Sequence, residues 1–163
     1  MRALAEKIAA RLKARRGMLV TAESCTGGWA AQELTAVAGS SAWFERGFVT
    51  YSNEAKQEML GVRAETIERH GAVSEETARE MALGALERSR GTVALAITGI
   101  AGPSGGSREK PVGTVCFAWA KKHRTVTAQT RHFGGDREAV RRQSVEYALA
   151  KVLELLDEPR AGP

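Results

Sequence analysis

The sequence predicts an α/β domain: a mixed five-stranded sheet with helices on both faces. Three observations carry this expectation. Segments with apolar residues three or four apart alternate with short apolar and β-branched runs, the sign of helices interleaved with strands. The run Thr92-Val93-Ala94-Leu95-Ala96-Ile97-Thr98 is continuously apolar, as suits a strand covered on both faces. Residues 112–119 and 125–133 read as two more strands, and the polar Lys121-Lys122-His123 turn between them makes a hairpin.

Each element has a local reason. Leu4, Ile8 and Leu12 form one stripe on a helix over residues 2–15, which Gly17 is expected to end. Residues 18–22 read as a short buried strand, 23–28 as a turn, and Trp29, Ala30 and Leu34 as the next helix. A Gly/Ser break at 37–41 precedes a strand at 47–51, which places Tyr51 at a strand end. Asn53 is expected to cap a short helix carrying Lys56, Met59 and Leu60, closed by Gly61. A short helix at 64–70 follows. Ser74 then caps a longer one, with Glu75 and Glu76 at its positive end and Ala78, Met81, Ala82 and Ala85 inward. After the hairpin, Asp136 caps a last helix with Val140, Val145, Leu149, Val152 and Leu156 inward. Residues 1–157 are expected to form one domain and 158–163 a frayed, flexible tail.

The bulk properties narrow the function. A chain of 163 residues with 43% hydrophobic and 26% charged residues is an ordinary globular domain. Its formal charge of +5 is spread over pairs such as Arg15-Arg16, Lys121-Lys122 and Arg141-Arg142 rather than a tract, so nucleic acid is not the expected partner. The N-terminal segment lacks a secretory apolar core, and no apolar run approaches the roughly 20 residues of a membrane span, which points to a cytoplasmic protein. Cys25 and Cys116 are expected as thiols, and their spacing suggests no metal site.

Three segments place reactive groups just after predicted strands, where ligands bind in open α/β sheets. Glu23-Ser24-Cys25-Thr26-Gly27-Gly28 joins a strand to a helix, so Ser24 can attack a carbonyl while neighbouring N–H groups hold the oxyanion. The same residues would also serve as a plain helix cap. In Tyr51-Ser52-Asn53-Glu54-Ala55-Lys56, the lysine sits in a first helical turn. The helix dipole and partial burial there favour a neutral amine, and Tyr51 can relay a proton. A serine with a lysine base and no histidine is a known way to make a nucleophile. A solvated lysine and a core-edge tyrosine are the plainer reading. The third segment, Thr98-Gly99-Ile100-Ala101-Gly102-Pro103-Ser104-Gly105-Gly106, can cradle a phosphate through its N–H groups or act only as a connector. It matches neither the P-loop nor the dinucleotide fingerprint. Ala22 and Thr26 around Ser24 exclude the Gly-x-Ser-x-Gly elbow. The zinc-deaminase pattern is missing, and His70, His123 and His132 are scattered.

These segments, with His70-Gly71-Ala72-Val73-Ser74, Pro111-Val112-Gly113-Thr114 and Gly135-Asp136-Arg137, occur in an order that closely resembles the CinA C-terminal domain family, the nicotinamide-nucleotide amidohydrolases. The likeness spans about residues 3–157. It implies a three-layer α/β/α sandwich and hydrolysis of the nicotinamide mononucleotide carboxamide to ammonia and the nicotinic acid nucleotide. It implies no cofactor and no metal. It also implies a catalytic set like that of serine β-lactamases, falling on Ser24, Tyr51 and Lys56. Substrate contacts are expected at Glu23, Thr26, Gly27, Gly28 and Asn53. Further substrate contacts are expected at Gly99, Ala101, Gly102, Gly105 and Gly106, with the phosphate against the loop 102–106 and the oxyanion on N–H groups around Gly27. Arg137 is a candidate counter-charge for the phosphate, or a residue that merely follows a cap. Met1 opening a well-formed helix suits a stand-alone version of a domain that many relatives join to another. A homodimer is the expectation from the general frequency of twofold assemblies. The competing readings are a nucleotide-binding regulatory module without turnover and a competence-related, nucleic-acid-associated protein.

Overall fold

The computed structural model describes residues 1–124 and 126–159. Its elements run α1 (Arg2–Arg15), β1 (Leu19–Glu23), α2 (Trp29–Thr35), a 3₁₀ turn (Ser40–Ala42), β2 (Phe44–Val49), α3 (Asn53–Leu60), α4 (Ala64–His70), α5 (Glu75–Glu87), β3 (Val93–Gly99), β4 (Thr114–Lys121), β5 (Val126–His132) and α6 (Arg137–Asp157). The sheet order is β2-β1-β3-β4-β5. β1 pairs parallel with β2 and β3, and β4 pairs antiparallel with β3 and β5. The sheet is therefore mixed, as its sequence suggested.

Strand alternation divides the core into two layers. Val93, Leu95 and Ile97 of β3 and Val115, Phe117 and Trp119 of β4 point to one face, where they meet Ile8 and Leu12 of α1 and Val145, Leu149 and Val152 of α6. Ala94, Ala96, Ala118 and Ala120 point to the other, beneath Ala78, Met81, Ala82 and Ala85 of α5. Large side chains thus fill the α1/α6 side, while alanines on the α5 side allow that helix to lie close. The two layers of helix about one sheet make the α/β/α sandwich. Among the described residues, no helix is long and apolar enough to cross a membrane.

Several boundaries differ from expectation. Arg16, not Gly17, takes the left-handed position that ends α1, with φ 53°. Gly17 is needed for closeness instead, since a Cβ there would stand 2.9 Å from Leu12 Cδ2. β2 begins at Phe44 and ends at Val49, so Tyr51 follows the strand rather than ending it. Ser52 caps α3 by accepting from the Ala55 N–H, and Asn53 is the first helical residue. β4 starts at Thr114, because Gly113 turns the chain with φ 96°. Glu158, expected to fray, pairs with Lys121 at 3.7 Å, and its carbonyl accepts from Arg15 at 3.4 Å. The expected strand start at Thr125 and the tail residues 160–163 lie outside the described residues. Cys25 and Cys116 are free, buried thiols.

Candidate active site

The carboxyl ends of β1 and β3 and the chain leaving β2 open onto a cavity of about 320 Å³, within the usual range for small-molecule sites. Ser24 follows β1 directly. Its N–H donates to the Ile97 carbonyl at 2.9 Å, which ties the start of the turn to β3.

Lys56 comes from α3, four residues into a helix whose N-terminus the Ser52 cap fixes. It is 1% exposed, and its Nζ stands 3.0 Å from Ser24 Oγ, 3.0 Å from the Thr50 carbonyl and 3.1 Å from the Tyr51 carbonyl. No carboxylate lies among these contacts. Burial pushes the Lys56 pKa below the ordinary lysine value, opposed by the Cys25 sulfur. The three oxygens match the three N–H groups of an ammonium. In the neutral amine, two N–H groups can stay on the carbonyls while the lone pair faces the serine hydroxyl. The adjacent thiol is a poor rival nucleophile, since burial pushes Cys25 up to about 12 and keeps it protonated.

Tyr51 presents its carbonyl and its phenol to different parts of the cavity. Its carbonyl holds Lys56 and accepts from Ser24 Oγ at 3.4 Å, whereas its side chain is 61% exposed at the mouth. There the phenol oxygen accepts from Arg137 Nη2 at 3.2 Å. Arg137 also donates through Nη1 to the Gly102 carbonyl at 2.7 Å, so it bridges the Gly-rich loop to Tyr51. Ser24, Tyr51, Asn53, Lys56, Gly99, Ala101, Gly102, Gly105 and Arg137 all line the cavity.

Five expected contacts lie elsewhere, each for a visible reason. Glu23 is buried, and its carboxylate accepts from Thr26 Oγ1 at 2.6 Å, Ala30 N at 2.9 Å and Ala31 N at 3.1 Å. It anchors the serine turn to the positive end of α2 and does not line the cavity. Thr26 is buried as its partner. The Gly27 N–H is already given to the Ser24 carbonyl at 3.0 Å, which removes it as an oxyanion donor. Gly28, with φ 101°, caps α2 and packs on Val49. Gly106 lies against the Val112 backbone, where a Cβ would come within 2.7 Å of the amide nitrogen.

Arg141 escaped the sequence reading. It donates through Nε to the Cys25 carbonyl at 3.0 Å and through Nη2 to the Thr26 carbonyl at 3.2 Å, with its guanidinium over the Trp29 ring. The signal was its spacing. Arg137 and Arg141 stand one turn apart near the start of α6, where the helix dipole disfavours cations unless they have other partners.

This geometry can be compared with known proteins. The model of the CinA C-terminal domain matches residues 1–156. The chain belongs to the CinA C-terminal domain family. Among curated CinA-type relatives, the nicotinamide-nucleotide amidohydrolase PncC of Escherichia coli strain K12 is 60% identical over 90% of this chain and 88% of its own. PncC of Enterobacter agglomerans is 54% identical, with 92% of each chain covered. The crystal structure of the competence/damage inducible protein CihA from Agrobacterium tumefaciens superposes with a TM-score of 0.93 at 48% identity, covering 96% of this chain and 95% of that one.

Proposed function

We propose that this chain is a cytoplasmic amidohydrolase that cleaves the carboxamide of nicotinamide mononucleotide, releasing ammonia and nicotinic acid mononucleotide. The observation that carries the chemistry is the 3.0 Å approach of buried Lys56 Nζ to Ser24 Oγ, with no carboxylate holding the lysine. The substrate reading rests on the nicotinamide-nucleotide amidohydrolases to which this chain is 54–60% identical.

Neutral Lys56 takes the Ser24 proton as Oγ bonds to the carboxamide carbon. The Cys25 N–H, which has no backbone acceptor among the described residues, is a donor for the oxyanion. As the C–N bond breaks, the Lys56 ammonium returns the proton to the leaving nitrogen, which departs as ammonia. Water then attacks the acyl-enzyme, giving one proton to Lys56. As the acyl C–Oγ bond breaks, the Lys56 ammonium returns that proton to Ser24 Oγ, and the acid product gives its remaining proton to solvent or to the released ammonia and leaves as a carboxylate. Tyr51 orients Lys56 through its carbonyl. Its phenol and Arg137 meet the distal end of the substrate, where the guanidinium is a counter-charge for the phosphate.

Ammonia release from nicotinamide mononucleotide and from free nicotinamide tests this reading. We expect release from the nucleotide and little from the free amide, because the Arg137 side of the cavity has no phosphate to hold in the latter. Nucleotide binding without ammonia would favour a regulatory module instead.

A further inference from the structure

Two of the basic pairs that looked scattered along the chain meet in space. Arg15 and Arg16 at the end of α1, Lys121 at the end of β4, and Lys122 and Arg124 just after it line one cavity of about 230 Å³. It lies at the start of β3, whereas Ser24 and the Gly-rich loop lie at its end, so the length of the strand, about 20 Å, separates the two sites. The floor is apolar, made by Leu12, Val93 and Leu156.

A simpler account gives these cations to the carbonyl ends of α1 and α6. That account is insufficient. Glu158 pairs with Lys121, and each helix end contributes about half a negative charge, which offsets roughly two of the five cations. Among the described residues, Arg15, Arg16, Lys122 and Arg124 have no carboxylate within 4.0 Å.

We propose that this cavity is a second, non-catalytic site for an oligophosphate group, such as the di- or triphosphate of a small metabolite. Convergence on a concavity suits a compact polyanion, and arginine forks pair well with phosphate oxygens. A nucleic-acid groove would extend along the surface and offer aromatic platforms, and no aromatic residue lines this cavity.

Titration calorimetry of the full chain with sodium tripolyphosphate at about 0.15 M salt tests the site. The informative variant is Arg16→Asn combined with Lys122→Gln. Both residues are exposed, and asparagine tolerates the φ of 53° at position 16. We expect saturable binding that persists in Arg137→Ala, where the phosphate contact of the catalytic cavity is removed, and that in this background is weakened at least about tenfold by the double substitution. Three results would overturn the proposal. One is the absence of saturable binding by the wild type. Another is binding lost in Arg137→Ala but kept in the double variant, which would place the anion in the catalytic cavity. The last is tighter binding of a duplex of about 20 base pairs, sensitive to the same double variant, which would make this pole a nucleic-acid surface. The readout needs no turnover, so its failure is separate from failure of the amidohydrolase reading.

Discussion

Lys56 holds its place by giving hydrogen bonds to two main-chain carbonyls, and this arrangement governs its titration. Burial disfavours the ammonium, so its pKa lies below that of a free lysine. Only the neutral amine can accept the serine proton, so kcat/KM should rise with pH through the Lys56 pKa and level off above it. The rise should be complete below the ordinary lysine range. A Cys25 thiolate would instead titrate near about 12, and a rise only there would contradict the assignment. Glu23 is the other residue with a sharp test. All three of its contacts are donors, so Glu23→Gln turns an NH₂ toward at least one N–H or O–H. We expect a loss of about 1–3 kcal/mol in stability and a fall in kcat, with KM less affected because Glu23 lies outside the cavity. A thermal melt matching the wild type would remove its anchoring role. The sequence indicated Ser24 and Lys56 correctly as neighbours, because both follow strands that end at the same edge. It could not show that the Tyr51 carbonyl, rather than its phenol, stands against Lys56 Nζ, since residue type says nothing about which atom of a residue points inward.

The elements hold the site by close contact as well as by hydrogen bonds. α3 carries Lys56, and α5 presses against the end of α3 at a point where only glycine fits. A Cβ on Gly84 would stand 1.9 Å from the Leu60 carbonyl oxygen. Gly84→Ala must therefore push α3 from α5, at about 2–3 kcal/mol or more in stability, and should lower activity by moving Lys56. Unchanged unfolding in denaturant would contradict this packing. Element types were legible in the sequence because their periodicities are strong, as in the buried run of β3. Boundaries were less so. β2 was displaced by three residues at its start because Phe44, Glu45 and Arg46 do not look like the beginning of a buried strand. It is an edge strand, where exposure relaxes the pattern. Ser52 and Asn53 are both good capping residues, and local preference could not choose between them.

At the scale of the molecule, one sheet brings distant segments to its two ends. The carboxyl ends of β1 and β3 gather Ser24, Lys56, the Gly-rich loop and Arg137 and Arg141 of α6, and the opposite end gathers cations from α1 and the β4–β5 turn. The first convergence was expected from the rule for open α/β sheets. The second was not, because charge clustering depends on strand order, which a list of basic pairs does not contain. In the proposed reaction Ser24 is the nucleophile and Lys56 its base. Ammonia release from nicotinamide mononucleotide by the wild type, Ser24→Ala and Lys56→Met tests this assignment, with circular dichroism to confirm that each variant is folded. Both folded variants are expected to lose activity by at least about 10³-fold, because residues that act as a unit fail together. Near-native release by folded Ser24→Ala would contradict the assignment.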